Sequence, residues 1–217
     1  MSVGFDPSGD FVQTVDGLEP VTLLRRGASA TALGTAIAHA LRRVATTHEA
    51  APSDGRATAS DVTWHLSVAE LPDAPRLGDV LRDARGVRWV VLEVVQATLG
   101  SRWQCTSRSL AVAHGLNDTI SILQAAYPKG AAGAMDPVWQ PWRTGIWARI
   151  QPLAAETGLA EASRQTLARY LVFVEEPLEL DHRHRIRGPD GTLYRVLRTT
   201  QAERIGELPS IEVEVVP

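Results

Sequence analysis

Hydrophobic and polar residues alternate along much of this chain, and the alternation predicts strands. Asp61 to Val68 (DVTWHLSV) places Val62, Trp64, Leu66 and Val68 on one face. Ile211 to Val216 (IEVEVV) alternates in the same way. Val21 to Arg26 also reads as a strand, as does Gly100 to Leu110, with Trp103 and Cys105 on one face. Ile146 to Leu153 (IWARIQPL) reads as a strand with Trp147, Arg149 and Gln151 on one face, and Leu167 to Glu175 (LARYLVFVE) as a strongly apolar one. Thr31 to Thr47 is ambiguous. Its alanines and leucines favour helix, whereas Thr31, Leu33, Thr35, Ile37, His39 and Leu41 alternate at period 2. Thr119 to Ala126 (TISILQAA) suits a short helix capped by Asn117 or Asp118.

One pattern occurs twice. Leu180 to Thr199 (LDHRHRIRGPDGTLYRVLRT) is two strand-like runs around Gly188-Pro189-Asp190-Gly191, and Asp-Gly between such runs signals a hairpin because both residues tolerate positive φ. Leu77 to Val94 (LGDVLRDARGVRWVVLEV) superimposes on it without a gap when Gly86 meets Gly191. Leu81 then meets Ile186, Arg82 meets Arg187, Trp89 meets Tyr194, Val91 meets Val196 and Leu92 meets Leu197. The repeat decides Thr31 to Thr47 as strand, with Ala38 to Arg43 standing where Trp147 to Pro152 stand in the second copy.

The expected architecture is therefore mainly β: two tandem small antiparallel barrel or sandwich units with long loops and little helix. The boundaries expected are an N-terminal arm over 1–20, a first unit over 21–112, a linker or long loop over 113–144 and a second unit over 145–217. The arm is rich in Gly, Asp and Pro and orders only if it docks. Glu49 to Ser60 reads as loop, and Ala154 to Thr166 as loop with a short helix over Leu159 to Leu167. Trp139 and Trp142 argue against a fully solvated linker.

Composition narrows the function. The chain has 217 residues, 22% of them charged, and a formal net charge of −3. That balance disfavours a dedicated nucleic-acid binder. The single cysteine, Cys105, excludes an intramolecular disulfide and a multi-thiolate zinc site. No apolar run approaches 18 residues and no secretory leader is legible, so a cytoplasmic chain with no membrane partner is expected.

Candidate chemistry is sparse. Asp181, His182 and His184 suggest metal ligands, but only the two imidazoles would share a strand face, and His-x-His alone is a weak signal with no third ligand placed beside that pair. No nucleophile elbow, phosphate loop or dinucleotide fingerprint is present. The expectation is no catalytic, cofactor-binding or metal-binding residue, and no cofactor. The arginines stand out. Arg82, Arg85, Arg88, Arg102 and Arg108 belong to one copy, and Arg183, Arg185, Arg187, Arg195 and Arg198 to the other. Arg82, Arg85, Arg88, Arg183, Arg185 and Arg187, with Trp139 and Trp142, are the candidates for a subunit interface or a channel lining. The plainer alternative is a solvated sheet face of mixed charge, with Glu70, Glu93, Glu175, Glu176 and Glu179 nearby in sequence.

The second copy resembles a known family. IWARIQPL (146–153), a polar excursion, an apolar strand and HRIRGPDGTLYRVL (184–197), with Arg187, Gly191 and Tyr194 as its Arg-x-x-x-Gly-x-x-Tyr hairpin, resemble the head–tail adaptor or head-closure (stopper) proteins of tailed bacteriophages. The first copy fits more loosely, having AHALRRV where the family strand is expected. The resemblance implies a small β-barrel that assembles as a homo-oligomeric ring between portal and tail, with six-fold or twelve-fold symmetry. Its partners would be portal or adaptor and tail proteins, and DNA only in non-specific passage. It would be found in the virion, assembled in the host cytoplasm. Thr46 to Ser60, Ala154 to Thr166 and Ala111 to Arg143 are the candidate channel excursions. The doubled unit departs from the family's usual single one. A tail-completion or tail-terminator protein, and a small-ligand-binding β-barrel using His182 and His184, are the alternatives.

Overall fold

The computed structural model describes residues 10–26, 34–44, 61–127, 137–153 and 168–216. The chain divides into two compact units, Met1–Ala113 with Arg204–Gly206, and His114–Glu203 with Glu207–Pro217. Each unit is a closed antiparallel barrel of six strands. The first contains β1 (Glu19–Leu24), β2 (Thr35–Val44), β3 (Asp61–Ser67), β4 (Val80–Asp83), β5 (Arg88–Gln96) and β6 (Arg102–Arg108), with short helices α1 (Asp10–Thr14) and α2 (Leu110–Ala113). The second contains β7 (Asp118–Ala126), β8 (Val138–Pro152), β9 (Arg169–Val174), β10 (His184–Arg187), β11 (Leu193–Thr200) and β12 (Ser210–Val215).

The two barrels have the same topology. The first runs β1-β2-β3-β6-β5-β4 and closes where β4 pairs with β1. The second runs β7-β8-β9-β12-β11-β10 and closes where β10 pairs with β7. The repeated hairpin matches to the residue. Leu81 faces Trp89 as Ile186 faces Tyr194, and Arg82 faces Arg88 as Arg187 faces Leu193. A β-bulge follows at the same place in each, between Val91 and Glu93 on β5 and between Val196 and Arg198 on β11. Such bulges bend and twist a strand, as barrel closure requires.

Alternation selects the cores. Val62, Trp64 and Leu66 point into the first barrel with Leu23, Ile37, Ala40, Leu81, Val91 and Cys105. Ile120, Ile122, Ala148, Val172, Val174, Ile186, Val196, Ile211 and Val213 fill the second.

Several expectations are corrected. Thr119–Ala126 is strand β7, because its β-branched residues bury Ile120 and Ile122 in a barrel. The segment 113–144, expected to be a linker, supplies β7 and the first residues of β8. The expected extended arm includes α1, whose Phe11 is buried with the Arg102 guanidinium 5.6 Å from its ring centre. The β2 alignment shifts by one residue. Ala40 faces Leu66 as Ala148 faces Val174, so Ala40, not His39, corresponds to Ala148. A one-residue slip exchanges the faces of a strand, and Ala40 and Ala148 are both fully buried. At the hairpin tip only Gly191 takes positive φ, +87°, matched by Gly86 at +83°, and Asp190 does not. The excursions Thr46 to Ser60 and Ala154 to Thr166, and the helix expected over Leu159 to Leu167, lie outside the described residues.

Candidate functional site

The arginines of interest sit on the repeated hairpins. Leu81 and Trp89 point inward, so Arg82 and Arg88, paired across β4 and β5, point outward. Arg85 is exposed at the tip of that hairpin and Arg187 at the end of β10. Arg82, Arg85 and Arg187 make no ion pair among the described residues. Arg183 does not reach the strand. It lies in the turn before β10, where its Nε and Nη2 bond Asp181 Oδ2 at 2.9 and 2.8 Å. Arg195 pairs with Glu214, and Arg169 with Glu212. The outer face of β9, β11 and β12 is thus a mixed-charge surface.

Trp139 and Trp142 both pack on β10. The Arg185 guanidinium lies 4.2 Å from the Trp139 ring centre, close enough for a cation–π contact. Trp142 lies tilted against His184, with ring centres 5.0 Å apart and 43° between the planes, yet remains 45% exposed. A bulge in the β7–β8 ladder around Trp142 lets two tryptophans three residues apart both reach this strand.

His182 and His184 do not converge. His182 is exposed in the turn and His184 is buried on β10. His184 holds the turn together. Its Nδ1 lies 2.8 Å from Asp181 Oδ1 and 3.2 Å from the Asp181 amide N. The first barrel solves the same problem with Asp79, whose Oδ2 accepts the Arg76 amide at 2.9 Å. Asp79 and His184 occupy matching places, and each fixes the residue three positions before it. Hydrogen bonds from Arg183, with His184 contributing, hold Asp181 down at about 2. A cleft of about 410 Å³ opens beside this turn, lined by Leu178, Glu179, Asp181, Arg183, His184 and Gln201 among others.

Cys105 is buried in the first core. Burial, reinforced by the charge of Asp79, pushes its thiol up to about 12. It is therefore no thiolate nucleophile near neutrality. No group of three or more metal-ligating side chains occurs among the described residues. No helix among them is long and apolar enough to cross a membrane.

Sequence reasoning missed a polar cluster at one mouth of the first barrel. Arg42 lies 5.6 and 5.8 Å from the ring centres of Trp64 and Trp89, and pairs with Glu19 at 3.1 Å and Asp83 at 3.5 Å. The Trp89 indole donates to Asp83 Oδ2 at 3.2 Å. These residues come from five strands, so no local motif announces them. Glu70, read from sequence only as one of the acids near the arginines, instead turns its carboxylate onto the backbone of β2. No family model and no curated protein matches this chain.

Proposed function

We propose that this chain is a non-enzymatic structural protein of a phage or prophage particle, a head–tail connector of the adaptor or head-closure type. The observation that carries the reading is the repeated hairpin. The Arg187, Gly191 and Tyr194 pattern that resembles the adaptor family lies on β10 and β11. Its counterpart on β4 and β5 has the same register and the same following bulge. Two small barrels in tandem suit a ring in which each chain supplies two units, since head-to-tail contacts close when the rotation allows. Arg82 and Arg187, exposed at matching places, would then repeat around that ring and face either a neighbouring subunit or the phosphates of passing DNA. Trp142 and Trp147, 45% and 55% exposed, are the aromatic anchors such contacts favour.

The ligand-binding alternative rests on the cleft beside His184. Asp181 there already bonds Arg183 and His184, and His182 is not among the lining residues, so the acid and histidine that this reading relies on are committed to one another and to Arg183.

Negative-stain electron microscopy with mass photometry tests the reading, on the chain alone and mixed with a portal protein. Rings with a central hole of duplex width are expected. A monomer under every condition, together with saturable small-molecule binding at the cleft, would replace the connector with the ligand-binding barrel.

A further inference from the structure

Closed barrels have no free sheet edge, but β2 overhangs. Its ladder with β1 extends back to Thr35, whereas its ladder with β3 begins at Ala40. Residues 35–39 therefore have a strand on one side only among the described residues. Unpaired backbone groups of this kind template the addition of another strand. The overhang also contains a bulge. Ala38 and His39 both stand against Pro20, between the pairs Glu19–Ala40 and Val21–Ile37. The bulge adds one residue to β2, and the amides of both Ala38 and His39 take a side-chain acceptor.

That acceptor is Glu70. The amides of Ala38 and His39 donate to its Oε2 at 2.9 and 3.1 Å, and His39 Nδ1 contacts its Oε1. Glu70 is held in place for this. The Leu71 amide bonds Ser67 O at 3.0 Å, closing a turn directly after β3. The Leu71 side chain is buried in the barrel core, and its carbonyl accepts the Trp103 indole N–H at 2.8 Å. Burial works to raise the pKa of Glu70, yet the bonds from His39 and Ala38 outweigh it and leave the carboxylate more acidic than usual.

We propose that Glu70 is an edge guard: its carboxylate occupies the pairing side of β2 at Ala38 and His39 and prevents a second copy of the chain from adding a strand there. An incoming strand would have to displace a charged group already bonded to both amides. Among the described residues the second barrel has no counterpart of it. Carrying the β3–β9 register onward matches Glu70 to Leu178, a core residue. The guard is a property of the first barrel and stands whether or not the connector reading holds.

The test compares wild type, Glu70→Ala, Glu70→Gln and the double variant Glu70→Ala/Ala38→Lys on the full chain. Mass photometry and sedimentation velocity are run across a concentration series, and hydrogen exchange follows the amides of Ala38 and His39. Glu70→Ala is expected to form concentration-dependent species that wild type does not, with those two amides gaining protection as the species form. Glu70→Gln, which keeps an acceptor but loses the charge, should do so at higher concentration, and it gives the reading if Glu70→Ala fails to fold. Lysine at the exposed Ala38 position should restore the wild-type distribution, because an edge charge opposes strand addition. Folded Glu70 variants with the wild-type mass distribution at every concentration would overturn the proposal. So would association that survives the Ala38→Lys change.

Discussion

Trp64 on β3 stands directly opposite Cys105 on β6, and the corresponding places in the second barrel are held by Val172 and Ile211. All four side chains are buried. One barrel fills the space with a very large and a small residue, the other with two of middle size. Cores tolerate exchanges that conserve volume and resist those that do not. Trp64→Val alone should cost about 3 kcal/mol through the cavity it leaves. Cys105→Ile alone should cost about 1–3 kcal/mol by overpacking. The double variant should recover much of the loss, with a coupling of at least about 1 kcal/mol in a urea-denaturation cycle. Among the described residues the Trp64 indole N–H has no hydrogen-bond partner, so its removal strands no acceptor there. Strict additivity of the two single costs would show that the positions are not a packing pair.

Much of this fold was legible because each barrel strand is buried on one side. Asp61 to Val68 could be assigned from its own alternation, and the ungapped hairpin repeat placed Leu81 and Trp89 on Ile186 and Tyr194. The failures have local causes. Asn117, Asp118 and two alanines made Thr119 to Ala126 resemble a capped helix, and only the barrel around Ile120 and Ile122 makes it a strand. The β2 overlay slipped by one because β2 carries a bulge at Ala38 and His39, which period-2 counting cannot register. The arginines were legible as outward-facing, but their partners were not. Asp181 takes Arg183, and Trp139 takes Arg185, through contacts that only the turn and the bulge create.

The two hairpin tips cap the same amide by different routes. Asp83 Oδ1 accepts the Val87 amide at 2.9 Å from the first turn position, while Asp190 Oδ1 accepts the matching Thr192 amide at 3.0 Å from the third. Gly188 makes the second route possible, since a Cβ there would come within 3.0 Å of Asp190 Oδ1 and 3.2 Å of Tyr194 Cε2. Gly86→Ala and Gly191→Ala meet no atom within 4 Å, so each should cost only the left-handed backbone term, about 1–2 kcal/mol. Asp83→Ala should cost more than Asp190→Ala, because Asp83 is buried and also accepts the Trp89 indole N–H. Thermal melts of the four variants check the ordering, and an equal loss at Asp83 and Asp190 would contradict it.

Charge is reversed between the barrels at one cross-strand pair. Arg108 on β6 grips Asp61 on β3 through Nε–Oδ1 at 2.7 Å and Nη2–Oδ2 at 2.9 Å. The corresponding places are Glu214 on β12 and Arg169 on β9, again directly opposite. The first barrel should therefore accept the second barrel's polarity. Asp61→Arg or Arg108→Glu alone sets like charges opposite each other at a buried position and should cost about 3 kcal/mol or more. The double reversal should regain most of that, measured by chemical denaturation. A double variant no better than the worse single would mean that the surroundings of Asp61, rather than its pairing, fix the sign.

Acid should weaken the first barrel. His65 is buried on β3 and its Nδ1 has no hydrogen-bond partner among the described residues. Burial first, then the charges of Arg102 and Arg43, lower its pKa to about 4. The folded state therefore keeps His65 neutral where the unfolded chain, with a pKa near 6.5, takes up a proton. Stability rises with pH wherever the unfolded state binds more protons. The contribution of His65 is fully present above pH ~6.5 and is lost as pH falls toward ~4, by roughly 3 kcal/mol at most. Glu70 has the same sign but acts lower, since its depressed pKa yields stability that is present above the ordinary glutamate range and lost below it. Urea midpoints of the wild type should fall steadily from pH 7 to pH 4. His65→Gln should flatten that slope between pH ~6.5 and ~4.5, leaving the lower limb that Glu70 contributes. An unchanged slope in His65→Gln would assign the acid sensitivity to other groups.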